Sequence, residues 1–312
     1  MKEIKGIIPI VAAPFTDEGA FDEDSFQNML RHLLQTGVHG LTLFGIATEF
    51  YKLTDAERER MKTIFLSETA DHPTVTSIVS VTDHAKDVAV KRAKELENSG
   101  ADALMLLPPY FLSPSLEAIV EHIEAVASAV TIPIVVQYAP YQTGVSIPAD
   151  VFVNIKARYD NVQFVKVETQ PPGKYVSELL RGSNGTLRSL VGYAGIQMPD
   201  VLKRGGAGVQ PGCSFSEVYV HLYRLFEEKK EDEFMELFEK LLPYISYWMQ
   251  TSELIIRAEK KILQKRGMIA SDYCRAPAYS LDDIEIEMID RFITQFQPFL
   301  EEKKTSSKLE RY

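Results

Sequence analysis

Eight short runs of apolar and β-branched residues recur along this chain, and each is followed by a longer segment with helical periodicity. The runs begin at Gly6, Val38, Thr74, Ala101, Ile132, Val162, Leu187 and Ala207. Strands and helices that alternate in this way are typical of repeated βα units around a parallel sheet. Eight units predict an α/β fold of the closed (β/α)8 type, the TIM barrel. An open doubly wound sheet is less favoured, because its G-x-G-x-x-G fingerprint is absent.

Local signals mark several helix ends. The segment FDEDSFQNMLRHLLQTG has an acidic first turn and reaches Gly37, a glycine of the kind that follows a helix C-terminus. Thr54 is followed three residues later by Glu57, which is the sequence pattern of a capping box. Both segments are therefore predicted to be helices between strands.

The pattern changes after about Phe215, where the chain continues with helical segments and no further strand. We predict a catalytic barrel over residues 1–228 and a helical extension over 229–312 that packs against it. The extension is not expected to be a catalytic domain of its own. The polar tail 301–312 is expected to be frayed.

Composition narrows the classes of function. The formal net charge of -10 argues against nucleic acid or an anionic membrane as the main partner, although a small anionic substrate remains compatible. Cys213 and Cys274 show no metal-type spacing, and the histidines do not pair at strand ends, so we expect no metal and no other cofactor. The N-terminal segment lacks a signal-peptide layout and no apolar run could span a membrane, so a soluble cytoplasmic protein is expected.

In a barrel of this kind, reacting groups lie at the C-terminal ends of the strands. Lys166 is notable there because it stands between Val165 and Val167, inside a run that should be buried. Apolar surroundings disfavour an ammonium, so the pKa of Lys166 should fall and leave a nucleophilic amine. The alternative is a lysine that reaches water or pairs with Glu168.

Three further catalytic candidates accompany Lys166. Glu168 should share a face with it and act as a base or as its counter-ion. Gln137 and Tyr138 end the fifth run, and Tyr138 should point to the opposite face from Gln137 unless a bulge intervenes. The backbone amides of the turn FGIATEF could bind a carboxylate. The substrate-binding candidates at this and other strand ends are Gly45, Ala47, Thr48, Tyr110, Gly192 and Gln210.

Taken in order, several motifs resemble one family. They are GIIPIVAAPFTDEGAFD, GIATEFYKLTDAER where the family has a G-T-T-G-E turn, LPPYF, APYQTG, FVKVET with the lysine, and RGGAGVQPG. Over about residues 4 to 300 the chain resembles the dihydrodipicolinate synthase and N-acetylneuraminate lyase family of Schiff-base barrels. The resemblance implies that Lys166 forms a Schiff base with a 2-oxo acid, and that the protein is a homo-oligomer, a tetramer or a dimer.

The departures from the family pattern concern the substrate. The hydroxyls of the family's turn fall on Ile46 and Ala47, and a family tyrosine falls on Gln137. The second tyrosine of the synthase proton relay falls on Phe111, and the arginine that binds the second substrate falls on Gln142. These losses make synthase activity doubtful. VQYAP with VKVET is instead similar to the branch that contains L-2-keto-3-deoxyarabonate dehydratase, which implies loss of water from a 2-keto-3-deoxy sugar acid.

The resulting hypothesis is a lyase without a cofactor. The substrate carboxylate binds the amides of Ala47 and Thr48, Lys166 condenses with the ketone, and a base removes the proton at C3. That base is Glu168 or a water held by Gln137, and a hydroxyl then leaves from C4. The alternatives are an aldolase or a synthase-type condensation with pyruvate, in which tyrosines relay the protons, and a barrel that binds a sugar acid without turnover.

Overall fold

The computed structural model describes residues 2–301, and it contains eight parallel strands in one sheet. The strands are β1 (Gly6–Ile7), β2 (Gly40–Leu43), β3 (Thr76–Val81), β4 (Ala103–Leu106), β5 (Ile134–Tyr138), β6 (Val162–Val167), β7 (Arg188–Val191) and β8 (Gly208–Val209). Each coincides with one of the eight predicted runs, and only β3 extends beyond its run, by one residue at Val81. Their order in the sheet is β1-β8-β7-β6-β5-β4-β3-β2.

The sheet closes on itself beyond the end of β1. Gly6 and Ile7 pair with β8 on one side, and Ile10 forms parallel bridges with Thr42 of β2 and with Gly212. The amide of Val11 also donates to the carbonyl of Thr42 at 2.9 Å. The predicted TIM barrel is therefore confirmed.

Helices cover the outside of the sheet and form the C-terminal extension. They are α1 (Glu23–Gln35), α2 (Asp55–Ala70), α3 (Lys86–Asn98), α4 (Leu116–Ala129), α5 (Pro140–Thr143), α6 (Ala149–Arg158), α7 (Gly173–Gly182), α8 (Met198–Lys203), α9 (Ser216–Glu227), α10 (Glu231–Trp248), α11 (Ser252–Lys265) and α12 (Asp283–Leu300). Short 3₁₀ turns lie at Ile46–Thr48, Phe50–Lys52 and Tyr193–Gly195. The capping box of Thr54 and Glu57 is formed, and Gly37 follows α1 with a φ of 88°.

The strands carry two separate sets of buried side chains. One set fills the barrel interior and includes Ile8, Ile78, Met105, Val135, Phe164 and Leu190. The other set lies between the strands and the helices, and it includes Val165 and Val167. Because successive strand residues face opposite sides, Lys166 shares the interior face with Phe164. This alternation aims the lysine along the barrel interior.

Three helices of the C-terminal extension pack beside the barrel. An aromatic cluster joins α10 and α12 of the extension to the start of α9. It consists of Trp248, Phe292 and Phe215, whose ring centroids lie 4.9–6.2 Å apart. The predicted boundary at 228 falls in the turn between α9 and α10, and the division into a barrel and an extension stays a prediction. Residues 302–312 lie outside the described part, so the expectation for the tail is untested there.

Helix α11 lies against the turn Ile46–Thr48, at the C-terminal ends of the strands. A buried ion pair between Lys260 of α11 and Glu49, both wholly inaccessible, joins the two. The ammonium of Lys260 also lies 4.3 Å from the ring centroid of Phe15, and Lys52 contacts Glu49 at 3.0 Å. Such a pair is costly to break, because either partner alone would be a buried unpaired charge. Within residues 2–301, no helix has the length and apolar character needed to cross a membrane.

Candidate active site

Lys166 stands one residue before the end of β6 and is only 4% exposed. It pairs in register with Gln137 of β5 and with Leu190 of β7, so it lies in the middle of a three-strand segment. Its ammonium reaches the pocket at the C-terminal mouth of the barrel. The structure thus brings Lys166 to the end of the barrel where reacting groups are expected.

A carboxylate accompanies the lysine. Oε1 of Glu168 lies 3.5 Å from Nζ of Lys166, and Oε2 accepts a hydrogen bond of 2.7 Å from Nε2 of Gln137. All three side chains are buried. The amide of Gln137 therefore fixes the carboxylate, and the carboxylate is within reach of a proton on the lysine.

Gly192, at the end of β7, makes room for this arrangement. A Cβ at this position would lie 2.1 Å from Oε1 of Glu168 and 2.8 Å from its Cγ. Any larger residue would displace the carboxylate, so a glycine is needed here for the site. Substrate binding by Gly192 stays a prediction, and the side chain nearest to it in the structure is that of Glu168.

Tyr138 is not brought to the site. Its ring stacks on Tyr175 with centroids 4.9 Å apart and contacts Phe152, on the outer side of the sheet. Its hydroxyl accepts a hydrogen bond from the amide of Ile147 at 3.3 Å. The alternation along β5 is unbroken, so Tyr138 faces outward because its neighbour Gln137 faces the pocket. Tyr138 is therefore withdrawn as a catalytic candidate.

The turn Ile46–Thr48 keeps only part of its expected binding capacity. Thr48 is fully used, because its hydroxyl donates to the carbonyl of Val11 at 2.7 Å and its amide donates to the carbonyl of Gly45 at 2.9 Å. Ile46 and Ala47 begin the turn, where amides have no acceptor within the turn itself, and both line the pocket. A carboxylate would therefore bind at Ile46 and Ala47, and the expected contact with Thr48 is corrected. Gly45 packs its backbone against Ile10.

Of the two remaining substrate-binding candidates, Gln210 lines the pocket and Tyr110 does not. Gln210 lines it, donates to the hydroxyl of Thr42 at 2.8 Å, and has an oxygen with no partner among the described residues. Tyr110 packs against His84 with ring centroids 4.7 Å apart and is not among the pocket-lining side chains of the described chain.

Two further polar residues, Gln142 and Tyr193, line the pocket from the segments after β5 and β7. Tyr193 and Ala194 both adopt positive φ values, 51° and 49°, directly after β7. The hydroxyl of Tyr193 accepts a hydrogen bond of 2.8 Å from Gln142, the residue at the family's arginine position. Consecutive non-glycine residues in this region of φ are strained, and such strain is common where a loop must present particular groups.

The C-terminal helices contribute a wall of the pocket that sequence reasoning missed. This wall consists of Met249, Ser252, Ile255, Ile256 and Glu259. Glu259 is 4% exposed and accepts a hydrogen bond of 2.8 Å from the amide of Ser214. Burial raises the pKa of Glu259 to about 7, although the amide of Ser214 opposes the shift. The sequence does contain a signal for this burial. Glu259 lies on the apolar face of its helix, between Ile255 and Ile262.

The pocket is lined by more carboxyl groups than cationic groups, although the expected substrate is itself a carboxylate. Lys166 is the single cationic side chain that lines it among the described residues, whereas Glu168 and Glu259 are both carboxyl groups. Within residues 2–301, no group of three or more histidine, cysteine, aspartate or glutamate side chains is placed to hold a metal ion. The expectation of chemistry without a cofactor stays a prediction.

Comparisons with known proteins agree with one another. The model of the dihydrodipicolinate synthetase family matches residues 3–296. Among curated proteins, L-2-keto-3-deoxyarabonate dehydratase of Azospirillum brasilense is 26% identical over 278 residues, which are 88% of each chain. The 4-hydroxy-tetrahydrodipicolinate synthase of Methanopyrus kandleri is 27% identical over 277 residues, covering 86% of this chain and 89% of the relative.

A solved structure gives the same result. The crystal structure of dihydrodipicolinate synthase from Rhodopseudomonas palustris superposes with a TM-score of 0.85 at 26% identity. It covers 94% of this chain and 97% of the other. The similarity thus extends over the barrel and most of the C-terminal helices.

Proposed function

Because this chain belongs to the dihydrodipicolinate synthetase family and is, with that family, a lyase, we propose that Lys166 forms a Schiff base with a 2-oxo acid. The family predicted from the motifs is confirmed by this membership. The observation that carries the proposal is a buried amine at the C-terminal end of a barrel strand, with the Glu168 carboxylate 3.5 Å from it. A buried lysine with no such task would be an unusual feature of a barrel interior.

The first step uses three features of the pocket. The substrate carboxylate binds the free amides at Ile46 and Ala47, which turns the ketone toward Lys166. Glu168 accepts a proton from the ammonium, and the neutral amine attacks C2. The ketone oxygen then takes the proton back from Glu168 and leaves as water, which gives the iminium and restores the Glu168 carboxylate.

The second step removes the proton at C3. The iminium draws electrons from C3, so that a carboxylate can take the proton and leave an enamine. Glu168 is the base, because Gln137 holds it beside the lysine. Gln137 cannot exchange a proton itself at neutral pH, and it acts as a positioning residue for Glu168.

The pocket favours a hydroxylated 2-oxo acid over a second anionic reactant. Lys166, the single cationic side chain that lines the pocket among the described residues, is already bonded to the first substrate as an iminium, and Gln142 stands where the synthases have an arginine. Carboxyl and amide groups are instead suited to hydrogen bonds with hydroxyls. We therefore propose a dehydratase of 2-keto-3-deoxy sugar acids, in agreement with the name of the Azospirillum relative. The synthase relatives keep an aldolase or synthase-type reaction as the second candidate.

Borohydride trapping tests the Schiff base directly. Wild-type protein treated with pyruvate and borohydride should gain one reduced adduct, and peptide mapping should locate it on Lys166. Lys166→Arg should lose the adduct, because a guanidinium does not condense with the ketone, while Lys174→Arg on the exposed surface of α7 should keep it. An adduct on another lysine, or none in folded protein, would refute the proposal. The absence of an adduct is also what a non-catalytic binding barrel predicts.

Product analysis then separates the reactions. A dehydratase should convert L-2-keto-3-deoxyarabonate into a product that keeps the whole carbon chain and has lost one water. An aldolase should release pyruvate and an aldehyde instead. Mass spectrometry of the products distinguishes the two, and cleavage products alone would refute the dehydratase assignment.

We also propose that the protein is a homo-oligomer, a dimer or a tetramer. Phe111 and Leu112, on the loop after β4, are 71% and 86% exposed, and Tyr141, in the short helix α5 after β5, is 65% exposed. Large apolar side chains at this exposure commonly mark association surfaces. Light scattering should give two or four chain masses, and a single chain mass at micromolar concentration would refute the proposal. A cytoplasmic location stays a prediction.

A further inference from the structure

The proposed dehydration leaves one step without a group to perform it. When the hydroxyl leaves C4 it must gain a proton, and Glu168 has just taken one from C3 on the lysine side of the pocket. We propose that Glu259 of α11 is a catalytic residue that donates this proton to the leaving hydroxyl. This inference rests on the proposed function, because it assigns a second acid–base group to the same pocket.

The position of Glu259 supports the role. It is almost wholly buried and lines the pocket that also holds Lys166 and Glu168. One carboxyl oxygen, Oε2, accepts the amide of Ser214 at 2.8 Å. The other, Oε1, is buried and has no hydrogen-bond partner among the described residues. A buried polar atom without a partner costs about 1–3 kcal/mol, so an unpartnered oxygen at a pocket wall indicates a place for a ligand atom.

The backbone also makes room for this carboxyl group. A Cβ on Gly212, just after β8, would lie 2.2 Å from the carboxyl carbon of Glu259. Gly192 makes the corresponding space for Glu168 after the neighbouring strand β7. The segments that follow two adjacent strands thus each contain a glycine that admits one carboxyl group to the pocket.

The electrostatic surroundings suit a proton donor. With a pKa of about 7, raised by burial, a large fraction of Glu259 is protonated at neutral pH. The groups that face it are the amides of Ser214 and Cys213, the hydroxyls of Ser214 and Tyr219, the thiol of Cys213 and the more distant cation of Arg266. Across the pocket lie Lys166 and Glu168. Glu168 is held as an acceptor by two donors, and two carboxyl groups in such different environments can divide the roles of base and acid.

The step balances as follows. The enamine nitrogen pushes electrons toward C3, a double bond forms between C3 and C4, and the bond from C4 to oxygen breaks. The oxygen takes the proton of Glu259 and leaves as water. Glu259 remains as a carboxylate, which the amide of Ser214 stabilises. Glu168 holds the proton from C3, and exchange with solvent restores both carboxyl groups. Hydrolysis of the conjugated iminium then takes up one water and releases the product from Lys166, so that one water is lost in total.

Glu259→Gln tests the proposal in the full-length protein. Glutamine keeps an oxygen for the amide of Ser214 but cannot give up a proton. The matched control is Glu236→Gln, an exposed carboxylate on α10 that is paired with Lys240. Three readouts are compared in both variants and in wild type: the borohydride adduct with pyruvate, deuterium exchange of the pyruvate methyl group followed by NMR, and loss of water from L-2-keto-3-deoxyarabonate.

We expect Glu259→Gln to keep the adduct and the methyl exchange within about threefold of wild type. Its rate of water loss should fall by about 10²–10⁴-fold, the usual contribution of a positioned acid. Wild-type water loss should also decline as the pH rises through about 7, and the residual rate of Glu259→Gln should lack this decline. The control should match wild type in every readout.

The other outcomes overturn the role. If Glu259→Gln eliminates water within about fivefold of wild type, Glu259 is not the acid. If exchange and elimination fall together, the residue is structural. Failure of the proposed function is distinguishable, because wild type itself would then give no adduct and no exchange. Wild type that exchanges pyruvate but eliminates no water would overturn the dehydratase and the role of Glu259 together.

Discussion

The buried carboxyl of Glu259 makes the stability of this protein depend on pH in a way that can be measured without any substrate. Folding raises its pKa from the ordinary 4.5 to about 7. Between these values the unfolded chain has lost the proton and the folded chain retains it. Stability therefore falls as the pH rises through this window, and the whole penalty is present above about pH 7.

The size of the effect follows from the shift. At 1.36 kcal/mol per pKa unit, a rise from 4.5 to about 7 corresponds to a penalty of about 3 kcal/mol at alkaline pH. Glu259→Gln removes the titration and keeps an oxygen for the amide of Ser214. Relative to wild type, the variant should thus gain about 2.5 kcal/mol of unfolding free energy between pH 5 and pH 8, because part of the change already lies below pH 5.

Urea unfolding followed by circular dichroism at pH 5, 6, 7 and 8 provides the measurement. At each pH, the free energy of unfolding of wild type is subtracted from that of the variant, because the contributions of all other titrating groups cancel in this difference. Glu236→Gln, at an exposed site, should give a difference that does not change over this range. A difference for Glu259→Gln that stays constant within about 0.5 kcal/mol, or that changes in favour of wild type, would refute the argument that burial dominates this carboxyl.

Two other substitutions probe the packing around the pocket. Gly192→Ala should displace the Glu168 carboxylate by about 1 Å, because the new methyl group would start 2.1 Å from the carboxylate oxygen. Exchange of the pyruvate methyl group should therefore fall by about 10²-fold, whereas the control Gly182→Ala at the end of α7 should leave it unchanged. Unchanged exchange in Gly192→Ala would contradict the steric reasoning. Lys260→Met should lower the free energy of unfolding in urea by about 3–5 kcal/mol, because the buried Glu49 carboxylate then has only Lys52 as a cationic partner. A loss below about 1 kcal/mol would contradict this prediction.

Much of the barrel could be predicted because its signals are local. Each strand run is short, β-branched and bounded by a helical segment, and the capping box at Thr54 depends on only four residues. The direction of Lys166 also follows from the alternation of a strand, since its neighbours Val165 and Val167 must face the helices. The same parity predicts that Tyr138 faces away from Gln137, and the structure agrees.

The wall formed by α11 could not be predicted in the same way. Its place over the barrel mouth depends on contacts between segments about 200 residues apart, such as the pair of Lys260 and Glu49. Periodicity identifies the helix but does not say which surface it covers. The occupied amide of Thr48 was missed for a similar reason, because hydrogen bonds within a short turn depend on backbone angles that residue type does not determine.

Gly192 and Gly212 have a consequence for how such sequences can diverge. A side chain at position 192 or 212 would compete for the same space as the carboxyl group of Glu168 or Glu259. A lineage that gives up one acid is released from keeping its glycine, and a lineage that loses the glycine first forfeits the acid. The glycine and the acid of each pair should therefore be inherited together, so that the residue at position 192 or 212 indicates which proton-transfer chemistry a related chain retains.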